Sequence, residues 1–245
     1  MDVIGASTME WDKLAEILTK SIKLLIEYDS NLFVTETHQR TYCARLAHQL
    51  EPLLLSEKLD FEDRPPPPGY RVDVEYNRAY RDEENKTKRL FRPRSYNTGK
   101  ITGESSVFPD LNVHRRGLDG PNLLVSEVVK LPDRVDEISV YNFWKLAGYV
   151  EYFDYQYGLY LCFATGTERP GTILEAWLLD GDKYGPRGDG VRRDKIDKLS
   201  LLSDMLHDTG KSEDERLNAK QTFISLRDSL GFRPLDKKSL RPLSA

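Results

Sequence analysis

Cysteine is scarce: Cys43 and Cys162 are the only two in 245 residues, and each sits among apolar neighbours. This excludes a disulfide framework and any zinc site built on paired cysteines, and the two read as buried free thiols. His38 and His48 stand too far apart to share one helical metal face. No glycine-rich loop follows a strand with the Lys-Ser/Thr of a phosphate-binding loop, and no serine lies in a nucleophile elbow. No apolar run is long enough to span a bilayer, and Met1 to Glu10 has neither the basic start nor the apolar stretch of a secretory signal. No membrane partner and a cytoplasmic location are the expectations. Charge of one sign is also missing. With 36 basic and 40 acidic side chains the net charge is -4, so any phosphate-binding surface has to come from local clusters of Arg and Lys.

What is present is a polar but globular composition, 39% hydrophobic and 31% charged, with enough length for one core. Trp11, Leu14, Leu18, Ile22 and Leu25 recur at helical spacing and predict a helix from Trp11 to Tyr28. Asp29-Ser30-Asn31 breaks it, and a second helix begins near Thr35 with Cys43, Leu46, Leu50 and Leu54 inward. Pro65 to Gly69 forms a stiff connector. Alternation predicts a strand from Tyr70 to Tyr76 and another within Ser106 to His114, with a charged hairpin or loop from Arg81 to Glu104. Asn122 to Lys130 is apolar enough to be a central strand buried on both faces. A helix over about Asp136 to Phe153 and strands over Tyr157 to Ala164 and Thr172 to Leu179 follow. The order predicts an α/β domain with a mixed central sheet flanked by helices, spanning 1–180. Residues 181–245 read as a polar, helical C-terminal extension, with helices near Asp194 to Asp208 and Ser212 to Leu230.

One feature of the central strand calls for chemistry. Glu127 lies inside Leu123-Leu124-Val125 and Val128-Val129, where an ionised carboxylate costs several kcal/mol unless a cation or donors compensate it. A hairpin through Arg115 to Pro121 brings Asp110 beside it. Two converging carboxylates are stable mainly when they share a proton or bind a hard cation.

Phe108-Pro109-Asp110, a turn, an apolar strand bearing Glu127, and then a helix and a strand resemble the PD-(D/E)XK superfamily of metal-dependent phosphodiesterases. VDVEYNR (Val72 to Arg78), FPDLNVHRRG (Phe108 to Gly117), NLLVSEVVK (Asn122 to Lys130), the Lys145-Leu146 helix and YQYGLYLCF (Tyr155 to Phe163) resemble, in order, an uncharacterised bacterial branch of it. The resemblance covers roughly Thr35 to Ala164. It implies a restriction-endonuclease-like fold and a nuclease acting on DNA or RNA. It also implies Mg²⁺, or Mn²⁺ in its place, held by Asp110, Glu127 and Glu36, with a lysine as catalytic helper.

The lysine is where this chain departs from the family pattern. Residues two apart on a strand face one side, and two after Glu127 stands Val129. Lys130, three along, faces away unless a β-bulge turns it back. Lys145 on the next helix is the other source of charge. A site with neither is inactive, and the chain is then a nuclease-like binding module for nucleic acid or protein. Around this centre, His114 shares strand parity with Asp110, and Arg115 and Arg116 in the turn after it, with Lys88 and Arg89 in the basic stretch before it, are candidate contacts to nucleic acid. A third option gives the C-terminal helices a role in homo-oligomerisation or in holding a protein partner.

Overall fold

The computed structural model describes residues 9–56, 70–75, 88–91, 104–114, 122–132, 139–166, 169–182, 190–208, 210–236 and 240. Helix α1 (Trp11–Tyr28) ends at Asp29, whose N–H bonds to the Leu25 carbonyl. A short α2 (Ser30–Val34) and then α3 (Gln39–Ser56) follow. Strand β1 (Arg71–Val74) comes next, then β2 (Arg89–Phe91) and β3 (Glu104–Ser106), which pair antiparallel as a separate two-stranded sheet. Strands β4 (Leu111–His114) and β5 (Asn122–Pro132), helix α4 (Val140–Tyr152), and strands β6 (Tyr155–Thr165) and β7 (Ile173–Asp180) form the centre. Helices α5 (Gly190–His207) and α6 (Glu213–Ser229) and the edge strand β8 (Phe232–Pro234) complete the chain.

The chain is an α/β protein with a mixed, open, six-stranded sheet in the order β1-β4-β5-β6-β7-β8. β5 and β6 are parallel, and every other neighbouring pair is antiparallel. A parallel pair requires a crossover, and α4 supplies it. Side chains alternate between two apolar layers. Leu124, Val128, Leu159, Leu161 and Phe163 pack against α1 and α3, whereas Val125, Tyr160 and Cys162 pack against α4, α5 and α6. β5 is covered on both faces, as its continuous apolar run predicts.

Several segments differ from the sequence reading. The second helix starts at Gln39 rather than near Thr35, because α2 occupies Ser30–Val34 and a turn at Glu36, with φ 51°, separates the two. The strand expected over Ser106 to His114 is divided between β3 and β4 around Val107 to Pro109, since proline has no N–H to give to a ladder. The segment after Asp180 shares the core. Ile196, Leu199, Leu202, Phe223 and Leu226 are buried against α4, and β8 pairs with β7. Ser212 and Glu215 close a reciprocal capping box at the start of α6. Among the described residues no helix is long and apolar enough to cross a membrane.

Where β7 leaves the sheet, Gly181 is pressed against the core. A Cβ there would lie 2.7 Å from Val150 Cγ1 and 2.9 Å from the Gln156 carbonyl oxygen, whereas a Cβ on Gly190, at the start of α5, would meet nothing within 4 Å. Gly181→Ala is therefore expected to destabilise the protein by about 1–3 kcal/mol. Gly190→Ala is expected to be neutral or to stabilise by up to about 1 kcal/mol. Urea denaturation of the two variants checks the pair, and equal midpoints would show that the Gly181 contact is relieved by backbone movement.

Candidate functional site

The site begins where a proline stops a ladder. β4 pairs with β5 from Leu111↔Ser126 onward, the Asp110 N–H still reaches the Ser126 carbonyl at 3.1 Å, and Pro109 before it has no N–H with which to continue the ladder. The next donor on β5, the Val128 N–H, is taken by the side chain of Asp110 instead, Oδ2 accepting at 2.8 Å. The same oxygen accepts from Gln39 Nε2 at 2.9 Å, in the first turn of α3. Asp110 Oδ1 receives no hydrogen bond from the described residues. Burial pushes the Asp110 carboxyl above its ordinary value, against the Val128 N–H, the Lys145 charge and Gln39, which all favour the anion.

Strand alternation sets Glu127 on the α4 side of β5, with Val125 and Val129. It is 2% exposed. Lys145, one turn into α4 from Tyr141, donates from Nζ to Glu127 Oε2 at 2.6 Å and to the Phe108 carbonyl at 3.3 Å. Glu127 Oε1 is buried and has no hydrogen-bond partner among the described residues. Burial lifts the Glu127 carboxyl to about 8. Lys145 opposes the rise and the nearby Asp110 charge adds to it. One further turn along α4, the Tyr149 hydroxyl is also buried without a partner among the described residues, and burial with the Glu127 charge pushes it well above its ordinary value.

The structure thus brings Asp110, Glu127 and Lys145 together. It does not bring Lys130 to them. The parallel register of β5 on β6 runs unbroken from Leu124↔Tyr157 to Pro132↔Thr165, so no bulge rotates the strand. Lys130 stays on the opposite face, where Nζ donates to the carbonyls of Glu36 at 2.9 Å and Thr37 at 2.7 Å. Val129 occupies the face of the acid, partly buried against the α4 layer. Glu36 lies in the turn before α3 with its side chain exposed, and it does not join the two acids. Its place beside Asp110 is filled by Gln39, one helical turn later, which nothing in the local sequence distinguishes from a solvated residue.

Of the residues expected to touch nucleic acid, Lys88 is 3% exposed and donates to the Tyr155 hydroxyl at 2.6 Å. Burial lowers its ammonium to about 8. Asn112 Nδ2 reaches the same hydroxyl at 3.0 Å. His114 is buried and pairs through Nε2 with Asp73 Oδ2 at 2.8 Å. Neither Lys88 nor His114 offers a surface to a strand of nucleic acid. Arg89 is exposed on β2, and Arg115 and Arg116 lie outside the described residues.

Among the described residues no three His, Cys, Asp or Glu side chains stand together as a metal site. Two carboxylates suffice for Mg²⁺, which keeps several waters and takes one or two protein carboxylates. The unpartnered Glu127 Oε1 and the open Asp110 Oδ1 fit a hard cation, because a buried acceptor with no donor is stabilised by one.

The raised Glu127 value makes stability depend on pH. The unfolded chain releases this proton near 4.5 and the folded chain near 8, so the folded state binds the extra proton between the two. The stabilisation is complete below the unfolded value and is lost as pH rises through the folded one. In EDTA, the melting temperature of the wild type is expected to fall by several degrees relative to Glu127→Gln between about pH 6 and about pH 9. Parallel melting curves across that window would show that Glu127 titrates normally.

Compared with protein-family models, curated proteins and solved structures, the chain matches none.

Proposed function

We propose that this chain is a metal-dependent nuclease-type phosphodiesterase acting on DNA or RNA, with Asp110 and Glu127 as the cation ligands and Lys145 as the cationic helper. The observation that carries the reading is the buried, unpartnered Glu127 Oε1, beside Asp110 and with the Lys145 amine on the other oxygen of the same carboxylate. A carboxylate kept in this state inside a covered sheet destabilises the protein, and such an arrangement is characteristic of working sites rather than packing solutions. The order of the parts that resemble the PD-(D/E)XK superfamily, an acid before one strand, an acid within the next, then a helix and a strand, supports a restriction-endonuclease-like reading of the sheet.

In this reading Asp110 Oδ1 and Glu127 Oε1 would hold Mg²⁺, or Mn²⁺, which when bound polarises the phosphodiester and acidifies a water. Lys145 does the work that the family pattern gives to a lysine on the strand. Its amine stands at the acid pair, where it can donate to a non-bridging phosphate oxygen as negative charge grows there and can orient the attacking water. Gln39 and the Val128 N–H hold Asp110 Oδ2 and leave its other oxygen for the ligand. The substrate is a polyanion in a cytoplasmic setting, and a net charge of -4 leaves local cations such as Lys145 and Arg89 to attract it.

One observation favours a second reading. Val129 stands on the acid's face where the pattern has lysine, and no third carboxylate joins the pair among the described residues. A nuclease-like module that binds nucleic acid or a protein without cutting would have this appearance.

Incubation with single- and double-stranded DNA and RNA in Mg²⁺ or Mn²⁺ separates the two. Cleavage is expected for the wild type, its abolition for Glu127→Ala and Asp110→Ala, and a loss of about 10²–10³ in rate for Lys145→Ala. Circular dichroism of each variant checks that it folds. Intact substrates throughout, with no heat of Mg²⁺ or Mn²⁺ binding by calorimetry, would establish the inactive module instead.

A further inference from the structure

Phe108 is the residue the acid pair leaves unused. It precedes Pro109-Asp110 and its side chain is 52% exposed. A single exposed apolar side chain is common on protein surfaces and carries nothing by itself. Its setting is what is unusual. The other exposed large apolar side chains among the described residues all lie on helices, whereas Phe108 lies in the segment that delivers Asp110. Its neighbours Val107 and Pro109 are both buried, and the Val107 N–H is bonded to the Lys88 carbonyl at 3.1 Å. The ring is therefore presented from a backbone anchored on both sides.

The Phe108 carbonyl is 3.3 Å from the Lys145 amine. A carbonyl oxygen lies about 2.4 Å from its own Cα, so the point from which the ring grows is no more than about 6 Å from that amine. On α4 the ring of Tyr141 lies 5.9 Å from the same amine and packs against Trp144. A cation suited to a phosphate thus has an exposed aromatic residue within one nucleotide's reach. This is the pairing with which proteins hold unstacked nucleic acid, a charge for the backbone and a ring face for a base.

We propose that Phe108 is a stacking platform for an unpaired nucleobase next to the scissile phosphate, which makes single-stranded nucleic acid the substrate class of this site. The proposal rests on the phosphodiesterase reading above. A duplex keeps its bases within the stack, and extruding one costs a few kcal/mol, so the platform discriminates against paired substrate. An aromatic ring stacks on any base, and little sequence preference is expected from this contact.

The test uses the full chain and three substrates: a single-stranded DNA oligonucleotide, its duplex, and an oligomer of the same length built wholly from abasic tetrahydrofuran units. Fluorescence anisotropy in EDTA reads binding, and gel analysis in Mn²⁺ reads cleavage. Phe108→Ala is expected to weaken single-strand binding at least about fivefold, the low end of what one base–aromatic stack contributes, and Phe108→Trp to retain it. Wild type and Phe108→Ala are expected to cleave the abasic oligomer at the same rate, and the wild type to bind the duplex more weakly than the single strand. Equal single-strand binding by wild type and Phe108→Ala, or tighter duplex binding, would overturn the platform, while cleavage of the abasic oligomer would leave the phosphodiesterase reading standing. Binding that depends on Phe108 without cleavage of any substrate would uphold the platform and remove the phosphodiesterase.

Discussion

The contact between Lys145 Nζ and Glu127 Oε2 organises the molecule. A glutamate in the middle of a strand covered on both faces is a severe desolvation problem, of several kcal/mol for an ion without a partner. The chain meets it with one ammonium group, delivered by the helix that the parallel β5–β6 pair requires in any case. α4 is held in place by the sheet below it, through Phe143 against Tyr160, and by Phe223 and Phe232 beyond it. The compensation is incomplete. Burial still dominates the Glu127 carboxyl, and one of its oxygens meets no donor among the described residues. A fold selected only for stability would gain from a hydrophobic residue at 127 and a shorter side chain at 145, as buried ion pairs generally can be replaced without loss.

The strength of the sequence signal varied along the chain in a physically sensible way. α1 spans the residues its apolar spacing predicts, because a helix with one dry face must repeat at that interval. The pairing of β4 with β5, and hence the approach of Asp110 to Glu127, was legible from two apolar runs and a short connection. Strand parity was informative in a sharper way: it turned Lys130 from the acid's face unless a β-bulge intervened, and the unbroken register of β5 on β6 has none. Lys145 was legible only as an alternative source of charge, since on α4 it differs from a solvated helical lysine only in where the crossover lays the helix beside Glu127. Gln39 was invisible for a related reason. Its contact with Asp110 spans 71 positions and depends on the turn at Glu36 that delays the start of α3. The polar C-terminal segment gave helices but no hint of β8, a three-residue edge strand whose partner, β7, defines it.

Lys130 is excluded from the site yet is connected to it. Its amine crosses from β5 to the turn before α3 and binds two successive carbonyls there, those of Glu36 and Thr37. Glu36 holds a left-handed backbone conformation, which disfavours a residue with a Cβ by about 1–2 kcal/mol and persists only when its surroundings fix it. The two hydrogen bonds from Lys130 are a fixing of that kind. Two residues past Thr37, Gln39 opens α3 and reaches Asp110 Oδ2. The lysine that strand parity turned away from Glu127 therefore braces, through the turn and the first residue of α3, the orientation of the other acid. β5 thereby influences both carboxylates from opposite faces: Glu127 directly from the α4 side, and Asp110 through its own Val128 N–H in the plane of the sheet and through Lys130 on the α3 side. A single covered strand with alternating side chains can do this because its two faces lead to different helices, one carrying the cation and the other carrying the amide that holds the acid in place.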